Sequence, residues 1–476
     1  MSESNLLTDH DAVGLAELIR SGEISAAEAT EASLAAIERH NPALNVVLHR
    51  LDDRARAAVE TGLPAGPFHG VPLVIKDLYA PTAGDPMHNG MAIMKMLGHV
   101  STHESDLIGL YRAAGFSLTG RTNTPELGLV ATTEPLSHGP ARNPWNPDFG
   151  TGGSSGGSAG AVAAGMASVG HASDGGGSIR IPAALCGLVG LKPSRGRIPM
   201  GPDGEEWGLS IQHAVTRTLR DSAAVLDVSA VNQPGDGVFA PHAVPSWAAM
   251  IGRDPGPLRV ALLATSYRDD MDVDPEVEAT TRTAAAHLEA LGHDVVEECP
   301  PCLRDPELGK MFLAMWTSRA TRTLQALSDM LGHQITEADV EPSTWIQAEI
   351  GRKFSAADLL ASMESMARMR RQMADWWQEN CDVMVTPTCA LPAPRIGDLT
   401  STEDDPMRNS TRSAPYATFT SPFNVTGQPG ISLPLGMTSS GLPIGVQLVG
   451  AYGREDVLFQ VGGQLEEHFI PLAPPL

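Results

Sequence analysis

Lysine is scarce in this 476-residue chain: Lys76, Lys95, Lys192, Lys310 and Lys353 are the only five among 33 basic residues. An arginine-favouring composition accounts for that, and it makes any lysine in an apolar run conspicuous. Basic residues as a whole are outnumbered by 56 acidic ones, for a net charge of −23. This excludes a nucleic acid partner and an anionic lipid surface, since both select positive charge. Aromatic residues are only 5% of the chain, too few for a base-stacking platform. Five cysteines in such a length do not build a disulfide scaffold. Met1 to His10 has neither a basic n-region nor an apolar h-region, so no signal peptide is read there. One long stretch without a charge, between Asp148 and Asp174, is made of Gly, Ser and Ala rather than Leu, Ile and Phe. It is no membrane span. A soluble cytoplasmic protein, monomer or homodimer, is the expectation.

Length alone would allow about three domains. Helical periodicity is read over 11–39 as two helices, with Ser25 and Glu28 as a capping box, and over 104–115, 275–291, 305–332, 355–379 and 455–468. Short apolar runs at 71–75, 117–119, 258–263, 294–298, 383–386, 430–434 and 444–449 read as strands. Strands alternate with helices and no repeat or low-complexity linker intervenes. The expected class is α/β, a large mixed β-sheet core surrounded by helices, in one domain over 1–476 with a helical lobe at about 300–380.

What the chain has in excess is glycine in one place. Residues 150–190 hold 13 of the 48 glycines and only two charges, Asp174 and Arg180. A flexible linker would not be interleaved with Ala-Val-Ala-Ala and Leu-Cys-Gly-Leu-Val-Gly-Leu. The segment therefore reads as buried and close-packed, with small residues that let backbones meet. Ser168 to Ser173 fits a short strand, and Asp174-Gly175-Gly176-Gly177-Ser178 a turn. Three glycines before a serine offer unobstructed backbone N–H groups beside a hydroxyl, as an oxyanion hole requires. The same residues also fit a structural turn with a capping serine.

Other motif readings are weaker. Gly150 to Ser155 begins like a dinucleotide fingerprint but ends on Ser155, and no Gly-Lys-Ser/Thr phosphate loop occurs. Gly152 to Gly157 matches a nucleophile elbow, yet the preceding Asn143-Pro-Trp-Asn-Pro-Asp-Phe149 cannot be a central strand. Cys299-Pro-Pro-Cys302 lacks the second pair that a zinc site needs. The fifteen histidines contain no His-Glu-x-x-His, and no metal is expected. Met87 to Met91 could line an apolar pocket, whereas Met363, Met366 and Met369 fit helix packing.

Gly152-Gly-Ser154-Ser-Gly-Gly-Ser158, then Asp174-Gly-Gly-Gly-Ser178-Ile-Arg180-Ile-Pro182, then Cys186-Gly-Leu-Val-Gly-Leu-Lys192-Pro193, resembles the amidase signature family. The resemblance extends from Gly70-Val-Pro72-Leu-Val-Ile-Lys76-Asp77 through Gly120 to Glu126 and Asn143-Pro144. It continues at Thr386-Pro387-Thr388, Asn424 to Pro429 and Gly445-Val-Gln447. It implies a signature core at about 65–230 and a hydrolase of amide C–N bonds, with carbamates or esters as further substrates. No cofactor is implied, and the only partner is a small-molecule amide or carbamate. Ser178 would be the nucleophile, Ser154 a bridging serine preceded by a cis peptide, and Lys76 the base. The backbone N–H groups of Gly175, Gly176, Gly177 and Ser178 would form the oxyanion hole, Asp174, Arg180 and Ser155 structural support, and Gly128 a substrate contact.

The chemistry is coherent. A serine needs an adjacent base. An ordinary lysine, with a pKa of about 10.4, is protonated at neutral pH, but burial in a strand like Val71–Ile75 favours the neutral amine. Lys76 is expected to be the one lysine so placed, and Asp77, next along the strand, to point away.

The chain departs from the family in three places. Gly175 replaces the common Thr, which should loosen the loop or widen the site. His171 stands where an apolar residue is common and reads as a buried structural histidine. His213-Ala-Val-Thr-Arg217 replaces a Gly-Pro before Ala-Arg and is similar to the branch containing nylon-oligomer hydrolases and carbamate-cleaving amidases. A glutamine amidotransferase subunit acting on aminoacyl-tRNA and a noncatalytic binding protein are the competing readings. Specificity is expected from segments 84–103, 203–213, 305–350 and 400–415.

Overall fold

The computed structural model describes residues 6–204, 208–241 and 244–474. In chain order its strands are β1 (Val47–Arg50), β2 (Pro72–Lys76), β3 (Ser117–Thr122), β4 (Arg142–Asn143), β5 (Asn146–Gly150), β6 (Val169–Asp174) and β7 (Val189–Lys192). They continue with β8 (Ile211–Thr216), β9 (Arg259–Leu262), β10 (Asp294–Glu297), β11 (Val383–Pro387), β12 (Gly430–Met437) and β13 (Pro443–Gly450). Eleven form one mixed sheet in the order β1-β3-β2-β6-β8-β7-β12-β13-β11-β9-β10, flanked by helices as expected. Strands β4 and β5 form a separate hairpin. The prolines and asparagines before the Gly-Ser segment therefore lie outside the main sheet, and the nucleophile-elbow reading falls.

Strand β2 is buried on both faces, which is why Pro-Leu-Val-Ile reads as a continuous apolar run. It runs parallel to β6, with Leu73 opposite Val169 and Val74 opposite Gly170. The carboxyl ends of the two strands, Lys76 and Asp174, thus emerge side by side, the usual position for a ligand site in such sheets. The glycine excess is explained alongside. Helix Gly156–Ala163 is buried along its whole length. A Cβ on Gly157 would lie 2.3 Å from the Asn123 amide nitrogen, and one on Gly160 2.6 Å from Val46 Cγ1. Only glycine lets this helix approach that closely.

Periodicity located the long helices within a few residues: Ala26–Leu44, Pro275–Ala290, Glu307–Leu331 and Ala356–Asn380. The Ser25–Glu28 capping box is formed in both directions. Strands β1 and β8 and helices Asp52–Thr61 and Pro342–Gly351 were not read from sequence. Strand β1 is four residues long, and β8 carries Gln212 and His213 in a fully buried strand, so neither shows a clean apolar run. No helix among the described residues is long and apolar enough to cross a membrane.

Candidate active site

Three elements converge at the ends of β2 and β6: the end of β2, the loop entering helix Gly156–Ala163, and the turn after β6. Lys76 has no solvent exposure. Its Nζ donates to Ser154 Oγ at 2.7 Å and to Ser173 Oγ at 3.0 Å. Desolvation brings its pKa down to about 7, against an opposing pull from the Asp174 carboxylate. The amine is thus substantially neutral at physiological pH. The Gly153–Ser154 peptide is cis. A Cβ on Gly153 would lie 2.5 Å from the Thr132 carbonyl oxygen, so that residue has no room for a side chain.

Asp77 points away from Lys76 as strand alternation requires. Its Oδ1 accepts from Arg121 Nε at 2.9 Å and its Oδ2 from the His88 amide at 2.9 Å. His171 is buried and structural. Its ring accepts the Lys76 backbone N–H at Nδ1 and meets Gln212 Oε1 at Nε2, 2.8 Å away, and burial lowers its pKa to about 3.

The turn Gly175–Ser178 is held by the two charges that the sequence isolates. Arg180 donates through Nη2 to Asp174 Oδ1 and through Nε to Oδ2, both at 2.9 Å, with both side chains fully buried. This forked pair is completed by Arg180 Nη1 to Gln447 Oε1 at 2.8 Å and Nη2 to Asn424 Oδ1 at 2.7 Å. The distant C-terminal landmarks thus close on one guanidinium. The pair keeps Asp174 ionised, with a pKa of about 2. Its carboxylate also accepts from the amides of Gly177 at 2.7 Å and Ile179 at 3.2 Å. Ser155 pins the turn to its neighbour, donating from its amide to the Ser178 carbonyl and from Oγ to the Ser173 carbonyl.

The Gly177 bond corrects the expected donor set. Its N–H is committed to Asp174, so the amides left without a partner among the described residues are those of Gly175, Gly176 and Ser178. Gly177 has another reason to be glycine: φ is +137°, and a Cβ would lie 2.3 Å from Thr420 Oγ1. Thr420 in turn donates to the Gly176 carbonyl at 2.7 Å, orienting that peptide.

Ser178 opens onto a cavity of about 770 Å³ lined also by Gly128, Gly176, Ile181, Phe312 and Trp316. Ser154, Ser173, Gly175, Gly128 and Ser178 together line its narrow inner end. Gly128 must lack a side chain, since a Cβ would lie 2.5 Å from Leu78 Cδ2 and 3.0 Å from Ser154 Oγ. Phe312 stacks on Trp316 with ring centroids 5.3 Å apart, and Trp316 Nε1 donates to Gln347 Oε1 at 3.1 Å. These aromatics make one stretch of the wall apolar, and Arg268, Asp269, Asp270, Arg304 and Asp305 line the cavity as well. Phe312→Ala is expected to raise KM for an extended apolar amide by about tenfold while changing kcat less, since the lost contact is that of one half-buried ring. Steady-state kinetics on long and short amides check this.

The region expected to widen at Gly175 is instead filled by tryptophan. A Cβ there would lie 3.1 Å from Trp316 Cζ3. Lys76 is also not the only buried lysine. Lys192 is 1% exposed, donates to the Pro193 carbonyl at 2.9 Å, and has a pKa pushed well down by burial and the Arg180 charge. Of the segments expected to set specificity, residues from 305–350 and 400–415 line the cavity. Segment 84–103 contributes none of the described lining, and 203–213 only Ser210 at the inner end, with 205–207 outside the described residues. Met91 belongs to a buried cluster with Leu127 and Leu324 and does not itself line the cavity, and Met366 and Met369 lie in the helical core. Cys299 and Cys302 are both free. Ser173 as a second partner of Lys76 was missed. Strand alternation from His171, which also faces Lys76, was the available signal.

The family model for amidases matches residues 28–459. The chain is 42% identical over 465 residues to a 6-aminohexanoate-cyclic-dimer hydrolase of a Pseudomonas species, covering 96% of this chain and 94% of that protein. A solved structure of 6-aminohexanoate cyclic dimer hydrolase superposes with a TM-score of 0.94 at 41% identity over 99% of both chains. A bacterial aryl acylamidase of the amidase signature enzymes gives a TM-score of 0.84 at 26% identity, over 98% of this chain and 99% of that one. The chain belongs to the amidase signature family. It is an enzyme that hydrolyses amide C–N bonds, similar to nylon-oligomer hydrolases, and its substrate is a small-molecule amide.

Proposed function

We propose that Ser178, Ser154 and Lys76 carry out this hydrolysis on uncharged amides with extended apolar chains, of the kind represented by the 6-aminohexanoate cyclic dimer. The observation that carries this reading is the fully buried Lys76 amine 2.7 Å from Ser154 Oγ, at the inner end of the cavity onto which Ser178 opens. Neutral Lys76 takes the Ser154 hydroxyl proton while Ser154 takes that of Ser178. The Ser178 oxygen then bonds to the amide carbon, and the amides of Gly175, Gly176 and Ser178 receive the charge that develops on oxygen. The proton returns through Ser154 to the leaving nitrogen as the C–N bond breaks. Water then attacks the Ser178 ester by the same relay and releases the acid. The helical segment 300–380 acts as the substrate lobe, since Phe312, Trp316 and Gln347 supply its wall.

A panel of 6-aminohexanoate cyclic dimer, aryl acylamides, peptide amides, glutamine and aryl carbamates tests the reading. The cyclic dimer and other apolar amides should be cleaved best. Glutaminase activity in preference to these would point to an amidotransferase subunit, and no labelling of Ser178 by a fluorophosphonate to a binding protein.

The pH profile follows from Lys76. Its protonated form cannot accept the Ser154 proton, so kcat/KM should rise with pH as a single ionisation centred at about 7. The same shift makes folding favour the unprotonated amine. Between about 7 and its ordinary value near 10.5 the unfolded chain holds one more proton than the native one, so this group's contribution to stability improves as pH rises. A rate that is flat from pH 5.5 to 8.5 would refute the assignment of Lys76 as base.

A further inference from the structure

Beyond the amidase centre, on the far side of Asp77 from Lys76, three histidines from separate parts of the chain meet. His49 lies on β1, His88 on the segment after β2, and His138 on the turn closed by the Gly139 amide donating to the Pro135 carbonyl. One ring nitrogen from each lies within 4.8 Å of those of the other two. We propose that His49, His88 and His138 form a binding site for a divalent transition-metal ion of zinc type.

The site's hydrogen bonding fixes the tautomer of His138. Ser137 Oγ donates to the Gly90 carbonyl at 2.5 Å, so its lone pair faces His138 Nδ1, 2.8 Å away. The His138 proton therefore sits on Nδ1, and Nε2 accepts from His88 Nδ1 at 3.3 Å, a bond that a metal ion would replace. That separation is close to the ~3.4 Å expected between two nitrogens bound to one tetrahedral zinc with bonds of about 2.1 Å. His49 Nε2 is buried and has no hydrogen-bond partner among the described residues. It stands 3.8 Å from Asp77 Oδ2, beyond hydrogen-bond reach. A buried, unpartnered ring nitrogen costs stability, and a metal ion would satisfy it.

The surroundings suit a cation. Asp77, whose Oδ2 accepts the His88 amide, stands beside the three rings with its charge shared with the buried Arg121 guanidinium. Lys95, which donates to the Ser137 carbonyl, opposes it from the exposed side. Three imidazoles with no thiolate favour zinc, nickel or copper over calcium and magnesium. Such an ion would tie β1, the segment after β2 and the 135–139 turn together.

The test uses the whole chain, treated with EDTA, dialysed and titrated with zinc chloride in a calorimeter. Cobalt chloride, which gives visible absorption bands when bound tetrahedrally, serves as a second probe. The expected result is one equivalent bound with Kd in the micromolar range or tighter, cobalt bands between about 500 and 650 nm, and a higher Tm with zinc. His138→Gln should weaken binding at least 30-fold and abolish the bands, His138→Cys should restore zinc binding, and the exposed His333→Gln should change nothing. Failure of the wild-type chain to bind zinc saturably, or equal binding by His138→Gln, overturns the proposal. Because binding and not hydrolysis is read, either result leaves the assignment of Ser178, Ser154 and Lys76 to be judged separately.

Discussion

Ser178→Ala is expected to lower kcat/KM for amide hydrolysis by about 10⁴-fold or more and to abolish fluorophosphonate labelling. The acyl-enzyme cannot form without its oxygen, and what survives is stabilisation by the Gly175, Gly176 and Ser178 amides alone. Lys76→Met should cost a comparable factor, because Ser154 then has no acceptor for its proton at the 2.7 Å contact now made by Lys76 Nζ. The double variant should be scarcely worse than either single one, since the residues work as a unit. Stability separates loss of chemistry from loss of fold. Lys76 is a fully desolvated amine, so replacing it with an apolar chain of similar length should leave the urea midpoint unchanged or raise it. Lys76→Met that kept more than a tenth of the wild-type rate would remove Lys76 from the mechanism.

Arg180→Met should destabilise the protein by about 3–5 kcal/mol, the usual cost of leaving one partner of a buried ion pair alone. The Asp174 carboxylate would lose both 2.9 Å bonds from the guanidinium, and Asn424 and Gln447 would lose theirs. Activity should fall along with stability, because Asp174 also anchors the Gly177 and Ile179 amides on either side of Ser178. Arg180→Lys should recover only part of the loss, since an ammonium cannot fork to both carboxylate oxygens. Urea unfolding at pH 7 measures this, and a difference below about 1 kcal/mol would show that the pair is not needed to hold the turn.

Much of the site was legible before any coordinates. Lys76 stood out as a charge ending an apolar strand, and Asp174 and Arg180 as the two charges in an otherwise uncharged glycine-rich segment. Chemical type and local spacing carried these. Hydrophobic periodicity likewise carried the long helices, because an amphipathic helix writes its buried face into the chain every three to four residues.

What stayed hidden depends on pairings between distant residues. That Gly177 gives its N–H to Asp174, leaving neighbouring amides free, is a matter of turn geometry. That Trp316 fills the space beside Gly175 follows from a helix about 140 residues away. Lys192 shows the limit from the other side, since nothing in Leu-Lys-Pro announces a fully buried amine. His49, His88 and His138 carry no shared spacing and become neighbours only when β1, the segment after β2 and the 135–139 turn pack together. By itself the sequence determined which residue types could do the chemistry and which segment had to be buried, because those follow from composition and local pattern. Only the tertiary structure decided which N–H groups are free, which histidines meet and which rings wall the cavity, because those depend on long-range packing that no local pattern encodes.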